Sequence, residues 1–477
     1  MTFDDDYAML IGGERVRGTA TFDVVNPATE EVIARVPDAT REDLDRAVDA
    51  ARAAFPAWAA TPIAERKAKL MALGQAVMAQ ADPFMRLLTQ EQGKPHAEAQ
   101  GEVMGAGYWL MGASQLDLPV TVNEDSADRY SETRHVPLGV VGAISPWNFP
   151  LILAMFKVGP ALLAGNTMVL KPSPFTPLTT LKFGEIAAGI LPAGVLNIVT
   201  GGDDLGPWMT SHPGFDKISF TGSTATGRRV MQSAAPTLKR VTLELGGNDA
   251  AIVMPDVDVE KVAEELFWAA FRNNGQICIA TKRMYVHEDI YEPLKEALVA
   301  YAKTVKVGDG AEQGTQIGPL NNKQQYDRVL DLIQDAKDKG YQFLVGGEKA
   351  DVPGYFIPVT ILDNPPEDSR IVQEEQFGPV LPLLKFDDLE DVVRRANATD
   401  YGLGGSVWGN DEDKALEIAQ RIASGTVWVN ETQHLSPMAA FGGMKQSGVG
   451  VEGGVEGLLE YTNAQTIVRK KRTPVAA

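Results

Sequence analysis

Apolar and polar positions follow two periods along the chain, one typical of amphipathic helices and one typical of strands. In residues 42–60, apolar side chains such as Leu44, Val48 and Ala51 recur at helical spacing, which predicts a helix. The same pattern predicts helices at 151–163 and 178–190, and strands at 134–145, 167–171, 195–200 and 216–220. Strands and helices therefore alternate through the first half of the chain.

The alternation continues in the second half. A glycine-bearing turn at 221–227 leads into a helix that starts at 228–235, and further on the pattern predicts helices at 259–271, 291–304 and 324–339 with a strand at 283–287. Alternation of this kind indicates parallel sheets with crossover helices. We predict an α/β protein of two domains. Their boundary near Gly246 and Gly247 is inferred from the chemistry of that segment, because no linker separates them.

Size and charge narrow the function classes. A chain of 477 residues exceeds what one core usually supports, so two or three domains are expected. The net charge of -19 disfavours binding to nucleic acid or to anionic membranes, since both attract clustered lysine and arginine. The expected partner is therefore a small molecule, held in a cleft between domains.

Cys278 is the only cysteine, which excludes an intrachain disulfide and a multi-cysteine metal site. The start of the chain is acidic and leads into no apolar segment of the kind found in signal peptides. The most apolar stretch, 151–170, is interrupted by Lys157 and Pro160, which disfavours a membrane span. We expect a cytoplasmic protein without a metal site.

Two segments carry groups suited to acyl chemistry, and each has a structural alternative. Cys278 follows Gly275 and Gln276 after a predicted helix. A lone cysteine is more often a small buried hydrophobe than a nucleophile, but such a loop could expose the sulfur. Glu244 lies between two leucines. Apolar neighbours would raise the pKa of its carboxyl and suit it to deprotonate water, whereas the alternative is a strand-end carboxylate that faces solvent.

Two further segments could bind oxygen anions. Asn148 lies in a stiff loop between two prolines and two aromatic residues. Its amide could stabilise an oxyanion or simply hydrogen-bond a turn. Gly222 and Ser223 follow a strand and precede a helix, a context that suits a phosphate at a helix N-terminus. The dinucleotide pattern G-x-G-x-x-G is absent, so this signal is weak on its own.

Taken together, these segments resemble the aldehyde dehydrogenase superfamily. Six motifs occur in the family's order, at 146–150, 220–224, 244–247, 275–278, 374–379 and 441–448, and the resemblance runs from about residue 11 to the C-terminus. It implies an α/β fold with a Rossmann-like cofactor domain, a second α/β catalytic domain and a small β oligomerisation extension.

The resemblance also implies a mechanism. Cys278 attacks an aldehyde carbonyl to give a thiohemiacetal, and Asn148 and the backbone amide of Cys278 stabilise the oxyanion. Oxidation leaves a thioester, which Glu244 hydrolyses by activating water, while Glu452 passes protons to Glu244. Family members that transfer the acyl group to coenzyme A lack this base. We therefore expect the product to be a free carboxylic acid.

The expected cofactor is NAD. Lys171 matches the contact to the adenosine ribose, Ser223 the contact to the pyrophosphate and Glu375 the contact to the nicotinamide ribose. Pro174 occupies a position where many NAD-preferring members carry a glutamate. The same segment has no added basic residue that could bind the 2′-phosphate of NADP. NAD is therefore favoured, and use of NADP stays open. The full set of cofactor-binding positions is Ile144, Trp147, Lys171, Ser173, Gly222, Ser223, Gly246, Glu375 and Phe377.

The family's substrate pocket corresponds here to Phe149, Leu153, Phe156, Arg272, Leu435 and Phe441. Most of these side chains are apolar or aromatic, which favours an apolar or aromatic aldehyde. Succinic semialdehyde dehydrogenases carry an arginine at the position of Arg272, and their second arginine corresponds to Phe156. An acidic semialdehyde is therefore the alternative substrate, while Arg272 could also simply face solvent.

The resemblance divides the chain into a cofactor-binding domain of residues 1–118 and 138–246 and a catalytic domain of residues 247–446. Residues 119–137 and 462–477 form the oligomerisation segment of a homodimer or homotetramer. Val451 occupies a position near the subunit contact where the family usually has arginine. Two other functions stay open: a cofactor-independent thiol hydrolase that uses Cys278 and Glu244, and a non-catalytic structural protein.

Overall fold

The computed structural model describes residue 3 and residues 6–472. The acidic start thus falls mostly outside the described residues, as do positions 473–477 of the expected oligomerisation segment. No helix in the described part of the chain is long and apolar enough to cross a membrane. The helices are α1 (Arg41–Ala60), α2 (Ile63–Met78), α3 (Ala81–Gln92), α4 (His96–Ala113), α5 (Pro150–Leu163), α6 (Leu178–Ala188), α7 (Leu205–Ser211), α8 (Thr224–Ala234), α9 (Val259–Phe271), α10 (Glu288–Ala302), α11 (Lys323–Asp338), α12 (Arg370–Gln373), α13 (Leu389–Ala396), α14 (Glu412–Ala419) and α15 (Gly454–Leu459).

Strands alternate with these helices over most of the chain. They are β1 (Met9–Ile11), β2 (Glu14–Val16), β3 (Ala20–Val25), β4 (Val32–Asp38), β5 (Thr121–Asp125), β6 (Arg129–Pro137), β7 (Val140–Ile144), β8 (Thr167–Lys171), β9 (Leu196–Ile198), β10 (Lys217–Thr221), β11 (Arg240–Glu244), β12 (Asp249–Val253), β13 (Thr281–His287), β14 (Gln342–Val345), β15 (Thr360–Asp363), β16 (Val380–Phe386), β17 (Gly404–Trp408), β18 (Thr426–Val429), β19 (Gly448–Val449) and β20 (Thr462–Lys470).

The first large sheet has the order β19-β11-β10-β7-β8-β9-β1-β2 and is parallel from β11 to β9. Successive residues of a strand point to opposite faces, and β7 shows this clearly. Val140 packs with α1, α7 and α8, whereas Val141 packs with α2, α5 and α6 on the other face. Helices thus cover both faces, and the strand order reverses between β7 and β10.

The second large sheet has the order β14-β15-β16-β13-β12-β17-β18, and only β14 runs antiparallel to its neighbour. Ile252 of β12 packs with α11, α13 and α14, while Val253 packs with α9 and α10. This sheet is also covered on both faces. The two sheets confirm the predicted α/β class with parallel sheets and crossover helices.

A third sheet, of order β20-β6-β5, is antiparallel and joins two distant segments of the chain. Its strand β20 pairs with β6 from Thr462 opposite Pro137 to Lys470 opposite Arg129. The side chains of Ile467 and Val468 on β20 are exposed. A role for this sheet in subunit contact stays a prediction, as does the division of the chain into domains.

The predicted single strand at 134–145 is wrong. Its residues belong to β6 and β7, which lie in different sheets. The chain turns at Gly139, where φ is 138° and a Cβ would lie 2.0 Å from Oδ2 of Asp216. Asn166 Oδ1 accepts hydrogen bonds from the backbone N–H groups of Leu138 and Gly139 at 2.7 and 2.9 Å, which fixes this turn. The apolar pattern runs through both strands and therefore hides the break.

The predicted turn at 221–227 is shorter in the structure, because α8 begins at Thr224. The side chain of Ser223 accepts a hydrogen bond from the backbone N–H of Thr226 at 3.2 Å and so caps the helix. The capping residue sets the start of the helix four residues earlier than the apolar pattern does.

Candidate active site

Cys278 lies in the loop between α9 and β13. Asn273, Asn274 and Gly275 have φ values of 47°, 58° and 71°, so the chain reverses sharply after α9. At Gly275 a Cβ would lie 2.2 Å from the backbone oxygen of Gly378, which only glycine avoids. The cysteine at the end of this loop is half-buried as a residue and packs against a small apolar cluster that Phe149 also borders.

The surroundings of Cys278 favour the protonated thiol. Burial raises the pKa of this thiol to about 12, and the carboxyl groups of Glu375 and Asp249 add to the rise, while Lys282 opposes it. A thiolate is the reactive form of cysteine. The site therefore requires either a base or a compensating cation close to the sulfur.

Asn148 is held against the loop that carries Cys278 by hydrogen bonds that it both donates and accepts. Its Nδ2 donates to the backbone oxygen of Gln276 at 2.9 Å, and its own backbone oxygen accepts from Nδ2 of Asn273 at 3.0 Å. Nζ of Lys94 donates to the same Asn148 oxygen at 2.9 Å and to Oε2 of Glu102 at 2.5 Å. The predicted oxyanion donor is thus tied to the loop that precedes the predicted nucleophile.

Glu244 ends β11, where it pairs with Gly448 of β19 and Thr221 of β10. Its side chain is buried, and neither carboxyl oxygen has a hydrogen-bond partner among the described residues. Burial raises the pKa of this carboxyl well above its usual value, Glu452 raises it further and Lys157 opposes the rise. Buried polar atoms without partners are rare in folded proteins and often mark functional sites.

Lys157 is a group that the sequence did not assign to the site. Its Nζ donates to Oε1 of Glu452 at 2.6 Å, and both side chains are buried. The signal was present, because Lys157 is the one charged residue in the apolar helix α5. A charge on a buried helix requires a partner, but the sequence could not indicate that the partner lies 295 residues away.

The predicted cofactor residues lie at the carboxyl edge of the first sheet. Ile144 ends β7, Lys171 ends β8, and Gly222 and Ser223 connect β10 to α8. The strand order reverses between β7 and β10, and in open α/β sheets ligands bind at such a switch point. Burial lowers the pKa of Lys171 to about 8, while Asp203 and Asp38 act in the opposite direction.

The remaining cofactor positions flank this edge. Glu375 Oε1 accepts a hydrogen bond from the backbone N–H of Gly247 at 3.0 Å, and a Cβ on Gly246 would lie 2.3 Å from Oε2 of Glu375. Glycine at 246 therefore makes room for this carboxylate. The rings of Trp147 and Phe377 meet edge to face, with centroids 5.3 Å apart.

Ser173, another predicted cofactor contact, is buried. Its Oγ accepts a hydrogen bond from the backbone N–H of Phe175 at 3.3 Å. This bond stabilises the turn that follows Lys171 at the end of β8. A direct cofactor contact by Ser173 stays a prediction.

The structure brings part of the predicted substrate pocket together. Phe149, Leu435 and Phe441 share one apolar cluster with Cys278, to which Ile277 and Trp428 also belong, along with Ile279, Ala280 and Leu403. This cluster supplies an apolar wall beside the sulfur.

The other three pocket positions are not part of this cluster. Leu153 packs against the core that contains α2, α5 and α6, as Leu435 also does, and Phe156 is buried in that core, where its ring stacks on Trp109 at 3.5 Å between centroids. Arg272 is exposed at the end of α9. Burial raises the pKa of Glu98, and Lys94 and Arg272 oppose the rise, so the guanidinium is close to a carboxylate of the chain itself.

The fold and this arrangement define an α/β protein whose first parallel sheet has a switch point of the kind at which ligands bind. The chain belongs to the aldehyde dehydrogenase family, whose profile matches residues 15–467, and it is an enzyme of the NAD(P)-dependent aldehyde dehydrogenase kind. The family and the enzyme class predicted from the sequence motifs are thus confirmed.

Three relatives illustrate the match. A probable aldehyde dehydrogenase from Pseudomonas is 44% identical over 465 residues, which cover 97% of this chain and 94% of the relative. The NAD+ complex of an aldehyde dehydrogenase from Bacillus cereus superposes with a TM-score of 0.96 at 38% identity and covers 98% of this chain and 97% of its own. An NADP-dependent enzyme from E. coli gives a TM-score of 0.94 at 37% identity, with 98% of each chain covered.

Proposed function

We propose that this chain oxidises an aldehyde to a free carboxylic acid, with Cys278 as the nucleophile and Glu244 as the base. The observation that carries the proposal is the Glu244 carboxyl. It is buried, lacks hydrogen-bond partners among the described residues and is electrostatically coupled to the Lys157–Glu452 pair. Such a group costs stability, so its value to the protein lies in proton transfer.

In the first step the thiol of the half-buried Cys278 releases its proton to solvent. Glu244 is kept for the later attack of water, and burial, which raises the pKa of its carboxyl, makes its carboxylate a stronger base than a free one. The sulfur then forms a bond to the aldehyde carbon, and the electron pair of the C=O double bond moves to oxygen. Asn148 Nδ2 and the backbone N–H of Cys278 stabilise the resulting oxyanion.

The residues at the sheet edge fit a nicotinamide dinucleotide. Lys171 Nζ is buried at a strand end with its only side-chain hydrogen bond among the described residues at 3.3 Å, to the backbone oxygen of Pro172. It therefore retains donors for a ribose, while the N-terminus of α8 at Ser223 suits a pyrophosphate. When bound, NAD or NADP would accept the two electrons that the thiohemiacetal carbon loses. Glu375 would then orient the nicotinamide ribose through its hydroxyl groups.

Hydrolysis of the thioester at Cys278 follows. Glu244 removes a proton from water as the water oxygen attacks the acyl carbon, and the C–S bond breaks with its electron pair on sulfur, which releases the acid and leaves Cys278 as a thiolate. Glu244 must then return to the carboxylate form. Glu452 exchanges protons with Glu244: its carboxylate is close enough to raise the pKa of Glu244, and Lys157 donates a hydrogen bond to Glu452 at 2.6 Å.

Replacement of Lys157 by methionine is expected to impair hydrolysis at neutral pH. Lys157 opposes the rise in the pKa of Glu244, so its removal raises that pKa further. Because Glu244 acts as a base in its deprotonated form, the rising limb of the pH profile of kcat should move to higher pH. Steady-state kinetics across the pH range measure this limb.

The control for this prediction is Lys69→Met, which removes an ammonium that donates to the backbone oxygen of Ile190 at 2.7 Å and lies outside the site. The control should leave the limb in place. A folded Lys157→Met variant with an unshifted limb would remove Lys157 from the proposed mechanism.

The apolar wall beside Cys278 favours an apolar or aromatic aldehyde. Phe149, Leu435 and Phe441 offer no charged partner to a substrate carboxylate. Arg272, on which the alternative of an acidic semialdehyde depends, is exposed and has Glu98 close by. We therefore propose a neutral aldehyde as the substrate class.

A panel of aliphatic, aromatic and carboxylated aldehydes, assayed with NAD and with NADP, tests the proposed function. Reduced cofactor and free acid should form in equal amounts, with kcat/KM highest for apolar aldehydes. A cofactor-independent hydrolase would instead cleave esters without any reduction of NAD. If Arg272→Ala selectively lowers kcat/KM for carboxylated aldehydes, the semialdehyde alternative gains and the neutral substrate class is wrong.

A further inference from the structure

Behind the nucleophile loop lies a pair of buried, oppositely charged side chains that the mechanism above does not use. Lys282 is the second residue of β13, and Asp249 is the first residue of the adjacent strand β12. Both are almost fully buried, and Asp249 is paired with Thr281 in the sheet. Burial of single charges is costly, so a buried pair of this kind requires an explanation.

Lys282 binds the backbone of the loop that carries Cys278. Its Nζ donates to the backbone oxygen of Ile277 at 2.6 Å and to that of Gly275 at 3.4 Å. The ammonium also lies 5.6 Å from the ring centroid of Phe377. One buried cation therefore fixes two carbonyl groups within the three residues before the nucleophile.

Asp249 approaches the same loop from the other strand. Its Oδ1 accepts a hydrogen bond from the backbone N–H of Gly404 at 3.1 Å, and Oδ2 has no hydrogen-bond partner among the described residues. A Cβ on Gly247 would lie 2.9 Å from Oδ1 of Asp249 and 2.3 Å from the backbone oxygen of Cys278. Oδ1 of Asp249 and the backbone oxygen of Cys278 thus both lie close to the position that a side chain at residue 247 would occupy, so only glycine fits there.

We propose that Lys282 is a positioning residue for the nucleophile: it holds the loop before Cys278 and, opposed by the nearby carboxylate of Asp249, sets the fraction of Cys278 that is thiolate. This inference rests on the proposed function, in which Cys278 attacks the aldehyde. It assigns opposite effects to two neighbouring side chains on one sulfur.

The electrostatics of the site agree with this assignment. After burial, the groups that raise the pKa of the Cys278 thiol are Glu375, Asp249 and Glu244, and the group that lowers it is Lys282. Burial lowers the pKa of Lys282, while Glu375, Asp249 and Cys278 counter that effect. Burial raises the pKa of Asp249 to about 7, so this carboxyl is ionised in alkaline solution.

The test is alkylation of the thiol by iodoacetamide as a function of pH, in the full-length enzyme without substrate. The chain has a single cysteine, so the rate reports on Cys278 alone. At a fixed pH above 8, Lys282→Met is expected to slow alkylation about tenfold, because one nearby cation is lost, and Asp249→Asn to accelerate it by a similar factor. The midpoints of the two profiles should move in opposite directions from that of the wild type.

Two variants provide the controls. Lys282→Arg keeps the charge and should restore most of the alkylation rate, and Lys69→Met removes a remote ammonium and should leave the profile unchanged. Melting temperatures identify variants that do not fold. If Lys282→Met does not fold, the shift of the Asp249→Asn profile to lower pH decides the matter on its own.

Shifts of both variants in the same direction, or no shift in Asp249→Asn, overturn the proposal. Its failure is distinct from a failure of the proposed function. Thiol alkylation needs neither aldehyde nor cofactor. The proposed function, in contrast, fails if none of the aldehydes in the panel supports reduction of NAD or NADP by the wild-type enzyme.

Discussion

Replacement of Cys278 by serine is expected to lower kcat by on the order of 10⁴-fold or more. Serine nearly preserves the volume of the side chain, but its hydroxyl is far less acidic than a thiol and is a weak nucleophile without a strong base. The buried surroundings that already raise the pKa of the Cys278 thiol would suppress ionisation of a hydroxyl further. Steady-state formation of reduced cofactor measures this loss.

The fold should survive this change, because Cys278 is half-buried and forms no disulfide. Melting temperature and cofactor binding, followed by the fluorescence of Trp147 and the other tryptophans, should stay close to the wild-type values. A serine variant that retains a tenth or more of the wild-type kcat would contradict the nucleophile assignment. Cys278→Ser also gives the blank for the alkylation assay, since it has no thiol.

Replacement of Glu244 by glutamine should separate the two halves of the reaction. Glutamine has the same shape but cannot accept a proton, so the acyl group should form on Cys278 and then remain there. We expect a burst of reduced cofactor, followed by a steady-state rate about 10²- to 10⁴-fold below that of the wild type. Rapid-mixing kinetics measure the burst, and mass spectrometry of the intact protein detects the acylated chain.

The matched control is Glu456→Gln, which neutralises an exposed carboxylate on α15. It should turn over at the wild-type rate without a burst. Full steady-state activity in Glu244→Gln would show that another group activates water. A small burst alone would have a different meaning, namely that Glu244 also serves as the base for the thiol in the first step.

Much of the fold was predictable where a buried face imposes a clear period. The helix predicted at 259–271 coincides with α9, whose apolar residues pack on one face of the second sheet. Helix α4 was not singled out, because apolar and small residues lie around much of its circumference and give no amphipathic stripe. The pairing of β20 with β6 was not visible in any local pattern, because it depends on residues that are far apart along the chain.

For the site, local motifs were enough to nominate Cys278, Glu244 and Asn148 as candidates, because each lies in a short segment with a distinctive sequence. Lys157, Lys94 and Lys282 were missed for the opposite reason. The role of each of these lysines depends on a partner that folding brings close, as with Lys157 and Glu452. Phe156 shows the same limit: its position suggested a pocket, but the neighbouring Trp109 holds its ring in the core.

The pairing of Glu244 with β19, and the contact of Lys157 with Glu452, have a consequence for biosynthesis. Glu244 pairs with Gly448, and Lys157 binds a residue 295 positions further along the chain. Until residues 448–452 have left the ribosome, a nascent polypeptide contains Cys278 and Glu244. It still lacks strand β19, which pairs with Glu244, and Glu452, which exchanges protons with it. Under the proposed mechanism, hydrolytic competence is therefore acquired late in translation.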